Sequence, residues 1–550
     1  MQYKAPEALG ARARVNRATS LLADRSRADE FLSAVKVACV LYYVAYYLLV
    51  PIVFSKAVGL SVEGDGEAVA RAFELSLLLV EGIHALALLG SVPKVKPPEF
   101  WVFLANAVWM LVSRFLLGVS VSSHFNDLVL FALFMFLIFA TGISLTGAWR
   151  QRLLTSMMLE IVGATTVWSL AGLVTVVQGA YARGFEWITI LPENGAARDL
   201  YITFFDINRN VTAPYFLVAV GLLINRCVGC RSRGQRSLWR AVAAFYIPLS
   251  CMAMALQDCR SAMVGLALLL SVTVACVGAC WVKGQPNNHA RHMAAPKAGR
   301  LVSRYALRGI FLFVCMAVVI LGSNQFADTL FERAVEQAST RVDGSSHTVS
   351  VDDTFVSDDS GETSAFALTQ DHEKEVHPLG HNSWWGIVKL SGRTYIWAAI
   401  IPTLRDNPRM LLLGSPPDIE MQAINEHVVR EYGSSMTYPH MHNVYFQQLV
   451  CAGLPGLVLY LVLTLLLLRR MPACMRHEAG CGTKPMSILS FLLVAVLLYG
   501  MMEPLLSPRI PLVTILFCSI AGIFVAESEE MAGEKTEQSI GEDAGKSLSA

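Results

Sequence analysis

The stretch NVYFQQLVCAGLPGLVLYLVLTLLLL, residues 443–468, decides the fold class of this protein. It contains no charged residue, and Arg469 and Arg470 follow it directly. A helix needs roughly 20 mainly apolar residues to cross the hydrocarbon core of a bilayer. We therefore predict that residues 443–468 form a transmembrane helix.

The same pattern recurs along the rest of the chain. Of the 550 residues, 54% are hydrophobic and only 16% are charged, whereas soluble domains are about 25% charged. The sequence predicts an all-α polytopic membrane protein with about 12 transmembrane helices. The spans are expected at 31–54, 69–91, 100–119, 126–147, 153–177, 212–228, 239–256, 261–282, 306–323, 443–468, 486–502 and 508–526.

The distribution of Lys and Arg between the loops predicts the orientation of the chain. Short cytoplasmic loops collect Lys and Arg, and here the even-numbered loops hold most of them. Both termini are then cytoplasmic, namely the segment 1–30 and the acidic tail 527–550. The segment 324–441 becomes a large extracytoplasmic loop before the last three spans. Its acidic part, about 339–380, has the composition of a disordered insert, and residues 394–404 are expected to form an amphipathic helix.

Charge and motifs exclude several classes of function. The net charge is +1, so nothing indicates a nucleic-acid partner. The chain has no phosphate-binding G-x-x-x-x-G-K-[ST], no G-x-G-x-x-G after a strand, no H-E-x-x-H and no G-x-S-x-G. ATP hydrolysis, nicotinamide chemistry and zinc proteolysis therefore have no support. We predict neither a metal site nor a cofactor.

The candidate catalytic residue is His442, which precedes the tenth predicted span. The positive end of a helix dipole disfavours imidazolium, and a neutral imidazole there can act as a general base toward a hydroxyl. Gly453 lies eleven residues further on, and Gly456 follows it. In a continuous helix Gly453 shares a face with His442, and the two glycines allow close approach of a neighbouring helix. The alternative is a histidine that only caps the helix.

Arginines at predicted outer turns are candidate ligands for a pyrophosphate. They are Arg260, Arg393 and Arg209. Guanidinium groups bind phosphate oxygens in a bidentate manner and stay charged, although each alone also fits an arginine that reaches to lipid headgroups. His440, Asn443 and Glu503 are secondary candidates, and Glu503 is a possible orienting carboxylate.

These motifs resemble a known family. His442-Asn443, nine residues and then Gly453-x-x-Gly456 is similar to the H-[NSQ]-x9-G-x-x-G signature of bacterial O-antigen ligases and related polysaccharide polymerases. Ser391-Gly392-Arg393 followed by Trp397, and Cys259-Arg260-Ser261 before a span, resemble further elements of that family.

The resemblance implies a metal-independent inverting glycosyltransferase of the bacterial plasma membrane. Such an enzyme takes glycan from an undecaprenyl-pyrophosphate donor and passes it to an acceptor hydroxyl on a glycan, lipid or protein at the outer face. By the same resemblance, His442 would activate the acceptor, while Arg260 and Arg393 would hold the pyrophosphate. Ligase and polymerase activities remain equally open. The competing interpretations are a transporter or flippase of lipid-linked oligosaccharide, and a non-catalytic scaffold.

Overall fold

The structure is a computed structural model that describes most of the chain. The described residues are 6–53, 67–90, 97–118, 123–178, 188–192, 200–204, 209–230, 232–257, 259, 262–271, 329, 393–415, 417–432, 441–481, 486–501, 503 and 511–549. The ninth predicted span, 306–323, the acidic insert at 339–380, Arg260 and His440 lie outside these residues.

Helices make up almost all of the described chain. They are α1 (Pro6–Val53), α2 (Glu67–Leu89), α3 (Pro98–Leu116), α4 (Ser123–Ser144), α5 (Gly147–Gln178), α6 (Arg209–Gly229), α7 (Arg233–Leu256), α8 (Ala262–Ser271), α9 (Arg393–Asp406), α10 (Pro408–Leu413), α11 (Pro417–Tyr432), α12 (Val444–Cys481), α13 (Met486–Gly500) and α14 (Pro511–Ser549). Between α5 and α6, strands β1 (Ile188–Pro192) and β2 (Leu200–Phe204) pair antiparallel.

The helices confirm the all-α polytopic membrane fold. Eight of them are long and apolar enough to cross a bilayer: parts of α1, α2, α3, α5, α6, α7, α12 and α14. Three shorter apolar helices, Leu133–Ser144, Ala262–Ser271 and Ile488–Gly500, lie within further predicted spans. The described residues thus contain apolar helices at every predicted span except 306–323, which they do not cover.

Helices extend beyond the predicted spans at both ends of the chain. Helix α1 already begins at Pro6, although its apolar part is Ser26–Val50. Helix α14 continues to Ser549, whereas its apolar part ends at Gly533. The acidic, poorly apolar composition from 527 onward is typical of a disordered tail. The structure differs here because the tail continues a helix that is already nucleated by the packed span, and propagation is much less costly than nucleation.

Helix α14 lies at the centre of the bundle. Of its most apolar window, 89% is buried inside the protein, and its most extensive packing is against α4. The two helices touch at a glycine pair: a Cβ on Gly142 would lie 2.8 Å from backbone atoms of Gly522 and Ile523. Small residues of this kind allow helix backbones to approach closely within a membrane.

The segment 393–432 forms a small unit on the N-terminal end of α12. Helices α9 and α11 pack together around Ile396, Ile400, Ile424 and Val428, all fully buried. Val450 of α12 belongs to the same apolar cluster. This cluster joins the unit to α12. The residues that immediately precede α12 are therefore held between the unit and the helix.

Candidate functional site

Helix α12 is interrupted at Gly453, close to its N-terminal end. Gly453 has φ 68° and ψ −174°, which is not a helical conformation. Residues 444–452 and the longer part after Gly453 are therefore two helical pieces that meet at a kink. The argument that His442 and Gly453 share a face assumed a continuous helix, and it is wrong for this reason. His442 itself lies just before the helix.

Gly453 does permit a close approach, as predicted, but the neighbour is backbone from α10. A Cβ on Gly453 would lie 2.4 Å from the carbonyl oxygen of Leu412, and one on Gly414 would lie 2.1 Å from that of Cys451. Both glycines have φ near 70°, a region that L side chains rarely adopt. Gly456 has its nearest neighbour within α12, at Ala452. The kink is thus built by Gly453 and Gly414 together.

Asn443 caps the first helical piece. Its Oδ1 accepts hydrogen bonds from the backbone N–H groups of Tyr445 (2.9 Å) and Phe446 (3.2 Å), which is the usual role of an N-cap asparagine. Its Nδ2 donates to the carbonyl of Met501 at 2.9 Å. Asn443 therefore ties the start of α12 to the residues that follow α13.

His442 has a left-handed backbone conformation with φ 49°. Such a conformation is uncommon outside glycine and persists only where the surroundings enforce it. Here both backbone groups of the preceding residue are held: Trp397 Nε1 donates to the Met441 carbonyl at 2.8 Å, and Gln447 Oε1 accepts from the Met441 N–H at 3.1 Å. Trp397 and Gln447 thereby fix the direction in which the imidazole points.

The imidazole points at a buried carboxylate that also binds Arg393. His442 Nδ1 lies 3.3 Å from Glu503 Oε2 and 3.4 Å from Oε1. Arg393 Nη2 donates to Glu503 Oε1 at 2.8 Å. The exposed fraction is 0% for Glu503, 12% for His442 and 14% for Arg393. Three predicted candidates from distant parts of the chain thus form one cluster that reaches the surface only at its edge.

Electrostatics keep His442 neutral. Burial and, second, the nearby Arg393 guanidinium lower its pKa from 6.5 to about 3. A neutral imidazole carries one N–H, and the adjacent carboxylate favours placing it on Nδ1. Nε2 is then the nitrogen that accepts a proton.

Cys259 lies close to this cluster. Tyr499 interacts electrostatically with Glu503, Arg393 and Cys259, and Cys259 is the residue before Arg260 in the sequence. Arg209 begins α6, but its side chain and the whole of Arg260 and His440 lie outside the described residues. The structure therefore brings together His442, Asn443, Arg393 and Glu503, and leaves the positions of the other three candidates as predictions.

Sequence reasoning assigned no role to Trp397 and Gln447. A usable signal existed in their spacing: Trp397 lies four residues after Arg393 and Gln447 four residues after Asn443, so each shares a helical face with a predicted site residue. Glu503 is only a secondary candidate in the sequence, because its pairing with Arg393 spans 110 positions and leaves no local pattern. Within the described part of the chain, no three His, Cys, Asp or Glu residues are grouped as in a metal site.

The fold and the cluster define a class of protein, namely a polytopic membrane protein with a buried His–Glu–Arg cluster where a kinked helix begins. Residues 245–461 match the model of a protein family described as O-antigen ligase. This match confirms the resemblance read from the motifs, and it contains both Arg393 and His442. No curated protein matches the sequence significantly.

The match carries the function at a general level. It supports a ligase- or polymerase-like role in surface polysaccharide synthesis, and thus glycosyl transfer between a lipid-linked glycan donor and an acceptor at a membrane. Glu503 and the helices before residue 245 lie outside the matched segment.

Proposed function

We propose that this protein transfers glycan from an undecaprenyl-pyrophosphate donor to an acceptor hydroxyl at the outer face of the bacterial plasma membrane. The observation that carries the proposal is the cluster of His442, Glu503 and Arg393. The cluster combines a neutral base, a carboxylate that orients this base, and a permanent cation. His442 and Arg393 lie in the segment that matches the O-antigen ligase family, and Glu503 lies outside it.

In the proposed reaction, His442 accepts the proton of the acceptor hydroxyl. As the hydroxyl oxygen forms a bond to the anomeric carbon, its proton moves to His442 Nε2, and the bond between that carbon and the pyrophosphate oxygen breaks. Attack from the side opposite the leaving group inverts the anomeric configuration. Glu503 holds the Nδ1–H and stabilises the imidazolium while it exists, as the carboxylate of a catalytic triad does.

Arginine takes the role that a metal ion plays in many other transferases. The pyrophosphate leaves with the electron pair of the broken bond, so negative charge grows on its oxygens. A guanidinium has five N–H donors, of which Arg393 places one on Glu503. We propose that its other donors, with Arg260 and Arg209, bind the pyrophosphate and stabilise this charge. The reaction then needs no metal and no cofactor.

A reconstituted assay tests the proposal. The purified protein in nanodiscs is given a synthetic undecaprenyl-pyrophosphate oligosaccharide and an acceptor glycan, with and without a strong chelator. We expect transfer that survives chelation and that falls at least a hundredfold in His442→Ala and in Arg393→Ala, in line with the loss of a general base or a charge-stabilising group. Arg430→Ala, an exposed arginine of α11, is the matched control and keeps full activity. Unchanged turnover by His442→Ala would refute the catalytic role.

A carrier of lipid-linked oligosaccharide is the second candidate, and one observation favours it. Polar side chains bond to each other inside the bundle: Lys36 Nζ to Ser144 Oγ at 2.8 Å, and His84 Nε2 to Thr141 Oγ1 at 2.6 Å. Buried ionisable groups in membrane helices often line a transport path. A proteoliposome flipping assay separates the two: a carrier moves the donor across the bilayer without an acceptor, and Lys36→Met abolishes this movement.

A further inference from the structure

Pro455 and the non-helical backbone at Gly453 interrupt the regular hydrogen-bonding pattern of α12. In a regular helix the carbonyl of residue i accepts from the N–H of residue i+4. The partner of the Cys451 carbonyl would be Pro455, which has no N–H. The reversed backbone at Gly453 also disturbs the bonds of the neighbouring carbonyls. In a bilayer, an unsatisfied carbonyl costs several kcal/mol.

Donors from other parts of the chain satisfy these carbonyls in sequence. The Val450 carbonyl accepts from the Ser415 N–H at 2.9 Å. The Cys451 carbonyl accepts from Arg114 Nη2 at 2.6 Å, and the Ala452 carbonyl accepts from Trp109 Nε1 at 2.7 Å. Trp109 and Arg114 both belong to α3, and Arg114 is only 1% exposed. Helix α3 thus supplies side-chain donors to two consecutive carbonyls of the kink.

Straightening α12 would change the direction of the short piece 444–452 and move these two carbonyls relative to the α3 donors. In a straight helix the Ala452 carbonyl would also face the Gly456 N–H, whereas Pro455 offers the Cys451 carbonyl no N–H in either form. The short piece 444–452 takes its direction from the kink, and Asn443 and His442 sit directly on its N-terminal end. Straightening the helix would therefore move the imidazole relative to Glu503.

We propose that Trp109 and Arg114 are positioning residues that hold the Gly453 kink and thereby place His442 against Glu503. Both residues lie outside the segment 245–461 that matches the O-antigen ligase family. Helix α3 would therefore support a site whose sequence motif lies in that later segment. The inference rests on the proposed function for its effect on turnover, but the position of the kink is measurable without activity.

Two pairs of variants test the proposal. Trp109→Phe removes the indole N–H and keeps most of the ring, and its control Trp101→Phe changes a half-exposed tryptophan of the same helix. Arg114→Met removes every donor at similar length, whereas Arg114→Lys restores one. We expect Trp109→Phe and Arg114→Met to lower kcat about tenfold to a hundredfold, the cost of misplacing a reacting group by about 1 Å. The KM for the donor changes less than about twofold, and Arg114→Lys recovers most of the activity.

Hydrogen exchange provides the readout that does not depend on turnover. In Trp109→Phe and Arg114→Met, the amides of residues 444–456 exchange faster, whereas those of α9 and α11 and the thermal midpoint stay near wild type. Unchanged exchange at 444–456, or a loss of activity that matches the loss of folded protein, overturns the positioning role. If the wild type transfers no glycan but the two variants still exchange faster at 444–456, the proposed function is refuted. The role of Trp109 and Arg114 in holding the kink then still stands.

Discussion

At the scale of single residues, the decisive feature is that His442 is neutral inside a charged cluster. Arg393 and Glu503 are paired with each other, so the imidazole is exposed to a positive neighbour and to little solvent. Both effects disfavour its protonation and lower its pKa to about 3. The histidine is therefore neutral, with a ring nitrogen that carries no proton, at any physiological pH.

The pH dependence of activity follows from this shift. Because the pKa of His442 in the folded protein is about 3, the rate of glycan transfer stays level between about pH 5 and 8 instead of falling near 6.5, where a free histidine titrates. A rate profile of the nanodisc-reconstituted protein measures this. An acidic limb centred near pH 6.5 in the wild-type profile would contradict a depressed pKa.

The same shift affects stability with a definite sign. Between about pH 3 and 6.5 the unfolded chain binds more protons at this site than the folded protein does. The contribution of neutral His442 to stability is therefore present above pH 6.5 and is lost as the pH falls toward 3.

Glu503 carries a prediction of its own. In Glu503→Gln the side chain keeps its shape, but it loses the charge that pairs with Arg393, and an amide NH2 donor replaces one of the two acceptor oxygens that face His442 Nδ1. We expect turnover per folded molecule to fall roughly tenfold or more. The control is Glu431→Gln, at a half-exposed carboxylate of α11. Turnover of Glu503→Gln equal to that of Glu431→Gln would mean that the carboxylate does not orient the base.

At the scale of elements, α12 is fixed at two separate places. Its N-terminal piece is held by α3 and by the α9–α11 unit, as described above. Toward its C-terminal end, Arg470 bonds both carboxylate oxygens of Glu99, at the start of α3, through Nε (2.6 Å) and Nη2 (2.8 Å). It also lies 2.6 Å from Glu529 of α14. The first place positions the site, whereas the second joins three helices far from it.

Because α12 is fixed at two separate places, we expect a change at Arg470 to affect stability without affecting the site. Arg470→Gln leaves Glu99, which is 1% exposed, without its cation, and an uncompensated buried charge costs about 3–5 kcal/mol. We expect a clearly lower thermal midpoint and unchanged turnover per folded molecule, because His442 lies at the other end of α12. Arg469→Gln, at the exposed neighbouring position, tests whether loss of charge alone matters. Equal midpoints for the two variants would show that the Arg470 cluster does not stabilise the bundle.

At the scale of the whole molecule, the sequence was informative wherever the physical cause is local. Apolar length predicts the spans, and the described helices agree with eleven of the twelve. The His442-Asn443 motif and Arg393 predict part of the site, and the structure places them together with Glu503. Pro455 indicates a kink in this helix. The form of the kink was not predictable, because it depends on Gly414, Trp109 and Arg114, which the fold brings to Gly453 from distant positions.

The orientation of the chain is the remaining prediction at this scale. Twelve spans place both termini in the cytoplasm and α9–α11 outside, but only if residues 306–323 cross the membrane. Fusions resolve this, since green fluorescent protein fluoresces only when it folds in the cytoplasm and alkaline phosphatase is active only outside it. We expect phosphatase activity for a fusion after Tyr432, which follows α11, and fluorescence for fusions after Cys481 and Ala550. A fluorescent fusion after Tyr432 would put His442 on the cytoplasmic face, where the proposed outer-face transfer cannot occur.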